Sequence, residues 1–501
     1  MIVRMNSRWL DLLIIVIYMA GMVSVGLFFS RKQDSTETFF IPKKVPSWAM
    51  GLSMLATLIS SVTFVAYPGS AYAKDWSLLT PGFMVVITLL LVGMVIIPFY
   101  RQQVGMSAYE YFEHRFGRPT RLYASICFGL THFSKMGFVF YLMGLTISSI
   151  TGWNIDAVIV ATGIVMIFYS LKGGMQAVIW SDVIQAFLCW VGAFISLGYL
   201  LFAPPGGPSA VFKLAAENHK FSLGSMGWDF SKPTIPVLIL YGFSWYFQRY
   251  VADQTVVQRY LIAKSDRAAM KGVALGACLT VPIWALFMLI GTSTWAFYKL
   301  TGIALPATIT KADQVFPYFV STQLPPGLAG LFMASLMGAA MTMLASDLNS
   351  LASVGVQDFY RPVAKHATDG RCLRLARTLV AVLGALSTAL GLVLSHMKGN
   401  ALTMWFAVSA MVAGGLAGLF LLAYLSNRTN RQGVYAGMVA CGVFTVWAVL
   451  TKGAAPIVNL GTGWNFPWDE LMIGACGHVV MFVVGFAASL LSRPPACQEG
   501  L

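Results

Sequence analysis

Long apolar stretches recur along the whole chain, each about the ~20 residues a helix needs to cross the hydrocarbon core of a bilayer. The first runs from Leu10 to Phe29. It is longer than the apolar core of a secretory signal and is read as a retained first helix. Thirteen spans are expected, near 9–30, 46–73, 79–100, 122–149, 156–171, 175–203, 233–252, 270–299, 325–355, 377–397, 401–425, 433–451 and 469–491. Composition agrees. Only 10% of the residues are charged and 57% are hydrophobic, whereas soluble domains carry about 25% charged residues. With a mean hydropathy of +0.73, such a chain must present apolar surface to lipid. The expectation is one all-α integral-membrane domain over 1–501.

The basic residues orient the spans, because Lys and Arg crowd the cytoplasmic loops of membrane proteins. When alternate connections are compared, 22 of the 33 basic residues fall on one side and ten on the other. The richer side includes Arg115, Arg118, Arg121, Arg249 and Arg259. The bias places the N-terminus outside and the C-terminus in the cytoplasm. It also accounts for the net charge of +14 without nucleic acid as a partner. Two outer connections, 204–232 and 300–324, carry Pro and Gly and are expected to be partly ordered caps. The seven cysteines form no CxxC, and the six histidines form no HExxH pair. Neither a disulfide framework nor a transition-metal site is expected.

The chemically informative spans are the interrupted ones. The middle of the second holds Thr57, Ser60, Ser61 and Thr63, and Pro68-Gly69 follows. Polar, breakable backbone at membrane depth is tolerated where it lines a cavity. Transporters use unwound helices to offer carbonyls and helix ends to ions and substrate. The plainer reading is an intact helix whose hydroxyls bond back to its own carbonyls. The seventh span, five later, carries Pro236, Gly242 and Ser244 among aromatics. That spacing suits two five-helix repeats, each opening on a broken helix. In the ninth span Ala339, Thr342 and Ser346 share a helix face, which also suits close helix packing. Asp347, Asp182 and Lys135 are charges inside spans, and such groups by default mark ion or solute pathways. Asp347 has a second reading, contact with water at the cytoplasmic end. Lys135, about ten residues from either end of its span, calls for an anion, either a protein carboxylate or a bound solute.

Five stretches in order then carry a family pattern: Ser53 to Phe64, Ser107 to Gly117, Lys172 to Gln185, Asp253 to Tyr260 and Ala345 to Ser350. On these, and over nearly its whole length, the chain resembles the sodium:solute symporter family. Within it the look is of the bacterial sialic acid symporters. The resemblance implies a LeuT-like fold: a leading helix 9–30, a first five-helix repeat 46–203, an inverted second repeat 233–425 and two trailing helices 433–491. It implies a monomeric secondary active symporter of the bacterial inner membrane. A sodium gradient would import a small anionic solute, a carboxylated sugar such as sialic acid or another organic acid. Na+ as coupling ion is the only cofactor implied.

The resemblance also implies site residues. The main sodium site would use Ala56, Ile59, Ala339, Thr342 and position 343, and a second sodium would use Asp182, Thr342, position 345 and Ser346. Oxygen donors suit an alkali cation. The solute would meet Ser60 and Thr63 from the broken helix and Lys135, where sialic acid symporters place an Arg. Phe243 and Tyr246 would form an aromatic wall. Besides Lys135, four positions depart from the pattern. Met343 stands where the family has Ser or Thr, and a thioether is a poor donor to a hard cation. Ala345 stands where sialic acid members offer Ser. Leu58 and Gly82 replace a Thr and a Gln. Three readings follow: sodium binds more weakly, Asp347 supplies the missing oxygen, or Asp182 or Asp347 carries a coupling proton. Lys135 keeps the charge of an Arg but not its bidentate fork, and its other reading is a structural ion pair. The functional alternatives are a proton-coupled or neutral sugar or amino acid transporter of the same fold, and a non-transporting solute sensor. An enzyme is not expected, since no nucleophile–base pair, GxSxG or clustered His ligands occur.

Overall fold

The computed structural model describes residues 9–30, 35–42, 45–307, 309, 311–364, 366–397, 415–453, 456–461 and 463–492. The chain opens with α1 (Trp9–Ser30), a short α2 (Thr36–Phe40), α3 (Ser47–Leu58), α4 (Ser61–Ala73), α5 (Thr80–Gln103), α6 (Glu110–Phe116), α7 (Arg118–Thr151) and α8 (Ile155–Phe202). After α9 (Gly207–Glu217) come α10 (Ile235–Ala252), α11 (Gln254–Ile262), α12 (Asp266–Thr301), α13 (Val315–Thr322) and α14 (Leu328–Val354). A π-helical turn at Gly355–Tyr360 leads through α15 (Arg361–Val363) to α16 (Asp369–His396), α17 (Leu416–Leu425), α18 (Arg431–Thr451) and α19 (Met472–Leu491). No strand occurs among the described residues. Nine helices there are long and apolar enough to cross a membrane, or ten if α3 and α4 count as one bent span. Each expected stretch falls on helix within a few residues, except 401–414, which lies outside the described residues. The fifth and sixth stretches share α8. Its 48 residues would measure about 72 Å as one straight helix, far beyond a bilayer. It is kinked at Gly174, whose φ of 55° and ψ of −157° suit glycine.

Two interruptions shape the bundle. α3 ends at Leu58, Ile59 is extended (φ −100°, ψ 131°), and α4 starts at Ser61. The two halves are bent by 57°. Thr63 explains the restart. Its hydroxyl accepts the Ser60 N–H at 3.2 Å, and its own N–H bonds the Ser60 carbonyl at 2.9 Å. The break therefore lies at Ile59–Ser60, while Pro68 is carried inside α4. The second interruption falls at Asp253 (φ −95°, ψ 115°), just past the expected seventh span. α10 runs unbroken through Gly242 and Ser244, and Pro236 sits in its first turn, where a missing N–H is harmless. The break is set instead by a cap: Asp253 accepts the Thr255 N–H at 2.8 Å and starts α11.

α14 is the axis. Its apolar window is 89% buried, against 28% for α1 and 22% for α16. It packs on α1, α7, α8 and α16. Its first turn is capped from another helix, because Asp11 of α1 accepts the N–H groups of Gly327 and Gly330, each at 2.7 Å. The last turn of α4 is capped by Lys220, whose ammonium donates to the carbonyls of Tyr72 (2.8 Å) and Lys74 (3.0 Å). A cation at a helix C-terminus and an anion at an N-terminus both oppose the helix dipole.

Candidate functional site

α14 carries two buried carboxylate clusters on different faces. The first joins α3, α8, α11 and α14. Asp182 accepts a hydrogen bond from the Ser53 hydroxyl at 2.5 Å and pairs with Arg259 at 3.2 Å. Arg259 also donates to the Ser53 hydroxyl (3.1 Å), the Thr255 carbonyl (2.6 Å) and the Ser346 hydroxyl (2.9 Å). Both charged side chains are fully buried. The second oxygen of Asp182 and the Thr342 hydroxyl are buried side by side, with no other side-chain partner for either.

The second cluster joins α7, α14 and the α10–α11 junction. Lys135 Nζ lies 2.8 Å from Asp347 Oδ2 and 3.1 Å from Oδ1. His132 Nδ1 lies 2.8 Å from Asp347 Oδ1 and 3.1 Å from Lys135 Nζ. On its other side, His132 Nε2 is 3.4 Å from Asp253 Oδ2, which is 3.6 Å from Arg249. The other Asp253 oxygen takes the Thr255 N–H and hydroxyl. The ring of His132 lies on Phe128, centroids 4.2 Å apart. Asp347 is only 2% exposed, so it does not reach water at the helix end.

The expected sodium ligands Ala56, Ile59, Ala339, Thr342, Ser346 and Asp182 are all buried. Ser53 and Ser346 meet through Arg259, and Ala56 and Thr342 lie one helical turn further along the same two helices. Met343 and Ala345 are buried in the same stretch of α14. Ser60 and Thr63 bond each other at the break. The neighbouring Ser61 hydroxyl meets the Val139 carbonyl of α7 at 3.5 Å, one turn from Lys135. Tyr246 is buried 6.3 Å from the ring of Trp284, which stacks on Tyr67 at 5.4 Å. A Cβ on Gly82 would come within 2.6 Å of the Trp284 ring, so this indole occupies the room a longer residue at 82 would need. Phe243 is 37% exposed and stacks on Phe247, one turn further along α10.

Sequence reasoning missed Arg259, Arg249, Asp253, His132, Ser53, Trp284 and Tyr67. Two signals were available. Arg259 is flanked by Val256, Val257, Tyr260 and Leu261, which is unlike a solvated connection, and His132 precedes Lys135 by three residues, a spacing that shares a helix face.

A model of the sodium:solute symporter family matches residues 39–441. The chain is similar to the sodium/sialic acid symporter NanT of Aliivibrio fischeri, 31% identical over 94% of this chain and 90% of that one. It is similar to the sodium/sialic acid symporter SiaT of Proteus mirabilis, 31% identical over 95% of this chain and 94% of that one. Among solved structures it is similar to a Na+-coupled sialic acid symporter in a substrate-bound, outward-open state. That match has a TM-score of 0.88 and 30% identity, and it covers 97% of this chain and 98% of the other.

Proposed function

This chain belongs to the sodium:solute symporter family, and from that premise we propose that it uses the sodium gradient to import a carboxylated sugar of the sialic acid class. The observation that carries the reading is Lys135. It is a cation at mid-span beside the helix break, and its side chain is 12% exposed where Asp347 behind it is 3%. An ammonium so placed is matched to a solute carboxylate. Ser60 and Thr63 would bind sugar hydroxyls, and Tyr246, with Trp284 and Tyr67, would form the apolar wall.

Sodium, as the co-transported ion, would be held by oxygens. The adjacent buried Asp182 oxygen and Thr342 hydroxyl, with Ser346, suit a hard cation. The Ala56, Ile59 and Ala339 carbonyls with Thr342 would form the main site, short of one side-chain oxygen at Met343. That same deficit favours a second reading, in which Asp182 or Asp347 carries a coupling proton. The proposed architecture is a LeuT-like inverted repeat of five plus five helices, 46–203 and 233–425, among thirteen spans. The chain would act as a monomer in a bacterial inner membrane, N-terminus outside and C-terminus cytoplasmic.

Uptake of labelled N-acetylneuraminate into proteoliposomes tests this directly. Uptake driven by an inward sodium gradient is expected. Uptake driven only by a proton gradient would favour the second reading. No uptake of this or any other sugar acid under either gradient would overturn the assignment of substrate.

A further inference from the structure

We propose that Asp347 is a built-in rival for the solute's carboxylate: it holds the Lys135 ammonium in the solute-free transporter, and an arriving acid must take the ammonium from it. The inference rests on the reading of Lys135 as the solute's cationic partner.

Three observations carry it. The first is the order of exposure. Lys135 is the open member of the pair, with its side chain 12% exposed against 3% for Asp347 and 5% for His132. An approaching solute therefore reaches the ammonium before the carboxylate. The second is what stands behind Asp347. Stripping a buried carboxylate of its only partner is strongly unfavourable. Asp347 has another: His132 Nδ1 sits 2.8 Å from the same oxygen, and His132 is held in turn by Asp253 at 3.4 Å. Asp253 is anchored by Arg249 and by both donors of Thr255. The ammonium can therefore leave while the carboxylate keeps a hydrogen-bond partner. With its proton on Nδ1, His132 donates to Asp347 Oδ1 whether or not the lysine is in place. The third is the residue type. A lysine is a compact charge on a flexible stem and can swing between two carboxylates, whereas a bidentate arginine is fixed by its fork.

The arrangement acts as a selectivity filter. A neutral solute brings no anion and cannot displace Asp347, so a carboxylate is required for entry. The pair also weakens the complex once formed, because Asp347 reclaims the ammonium as the acid leaves. Asp347 is thus a specificity-determining residue that need not touch the solute.

The test uses the full-length protein in nanodiscs with saturating sodium and reads N-acetylneuraminate binding by calorimetry, followed by smaller sugar acids and monocarboxylates. Asp347→Asn keeps the shape and removes the rival charge. Its Kd for the acid should tighten by about tenfold, 1.4 kcal/mol, while counterflow turnover slows. A merely structural role for Asp347 predicts the opposite, a looser site, so weaker or unchanged binding in folded Asp347→Asn overturns the proposal. Lys135→Met should lose acid binding. If wild type binds no carboxylate, or Lys135→Met binds as well as wild type, the assignment of Lys135 itself fails and takes this inference with it. Should thermal melting show that Asp347→Asn is unfolded, a cryo-EM structure of wild type with the acid bound decides. Lys135 on the ligand's carboxylate and beyond about 4 Å from Asp347 supports the exchange, and an intact Lys135–Asp347 pair overturns it.

Discussion

Ser346 and Asp347 are neighbours on α14, yet they belong to two different kinds of buried charge. Ser346 faces a sealed pair, Arg259 and Asp182, both fully buried. Asp347 faces a looser set in which Lys135 and Arg249 each keep 12% of the side chain exposed. The sealed pair is held by a guanidinium that spends its donors on three helices: Ser53 of α3, Thr255 of α11 and Ser346 of α14. The loose pair is held by an ammonium 2.8 Å from a carboxylate that has a second neighbour, His132, also at 2.8 Å. A planar fork fixes geometry, and a point charge on a flexible stem permits exchange. The difference separates a frame from a working part. The Asp182 cluster locks the broken helix α3 to α14 and sets the second Asp182 oxygen beside the Thr342 hydroxyl. The Asp347 cluster presents a charge that can change partners.

The comparison breaks most easily at Arg259. Arg259→Met should cost about 3–5 kcal/mol of stability, because it leaves Asp182 as an uncompensated buried charge. Thermal unfolding of purified protein measures this, and adding Asp182→Asn should recover much of the loss. Lys135→Met should be milder, about 1.5–3 kcal/mol, since Asp347 keeps His132. Its effect belongs in function, with acid affinity falling by about 100-fold or more. If Lys135→Met destabilises as much as Arg259→Met, both clusters are frames and the distinction is lost.

The sequence made the frame's outline legible and hid its fasteners. The spans, the boundary between the fifth and sixth and the polar break near Ser60 follow from hydropathy and from residue types with plain backbone preferences. Asp347, Asp182 and Lys135 stood out because a charge inside an apolar run is costly and needs a partner or a purpose. Arg249, Asp253 and Arg259 did not. They lie at the α10–α11 junction, where the chain is polar enough to read as a cytoplasmic connection, and only tertiary packing shows that the junction is buried. The second interruption was misplaced for a related reason. Proline and glycine mark breaks by removing a donor or a Cβ, but this one is made by a capping aspartate, whose effect depends on which N–H groups happen to need an acceptor. Gly82 was legible only as a lost polar group until Trp284 was seen filling its space.

The smallest expected effect bears on the frame's free oxygens. Met343 and Ala345 lie between Thr342 and Ser346 on α14, one position expected at the main sodium site and the other at the second. Met343→Ser exchanges a soft sulfur for a hard hydroxyl in the stretch next to the helix break. If sodium binds there, half-saturating sodium should fall about fivefold, an effect of about 1 kcal/mol, with little change in solute affinity at saturating sodium. Ala345→Ser should act on the same curve but through the Asp182 cluster, so its gain should vanish in Asp182→Asn while the gain from Met343→Ser persists. Equal loss of both gains would mean that one ion is shared between the two sets of ligands. No gain from either would mean that the deficit of oxygens is not what limits sodium, and would shift the weight to a proton carried by one of the two buried carboxylates.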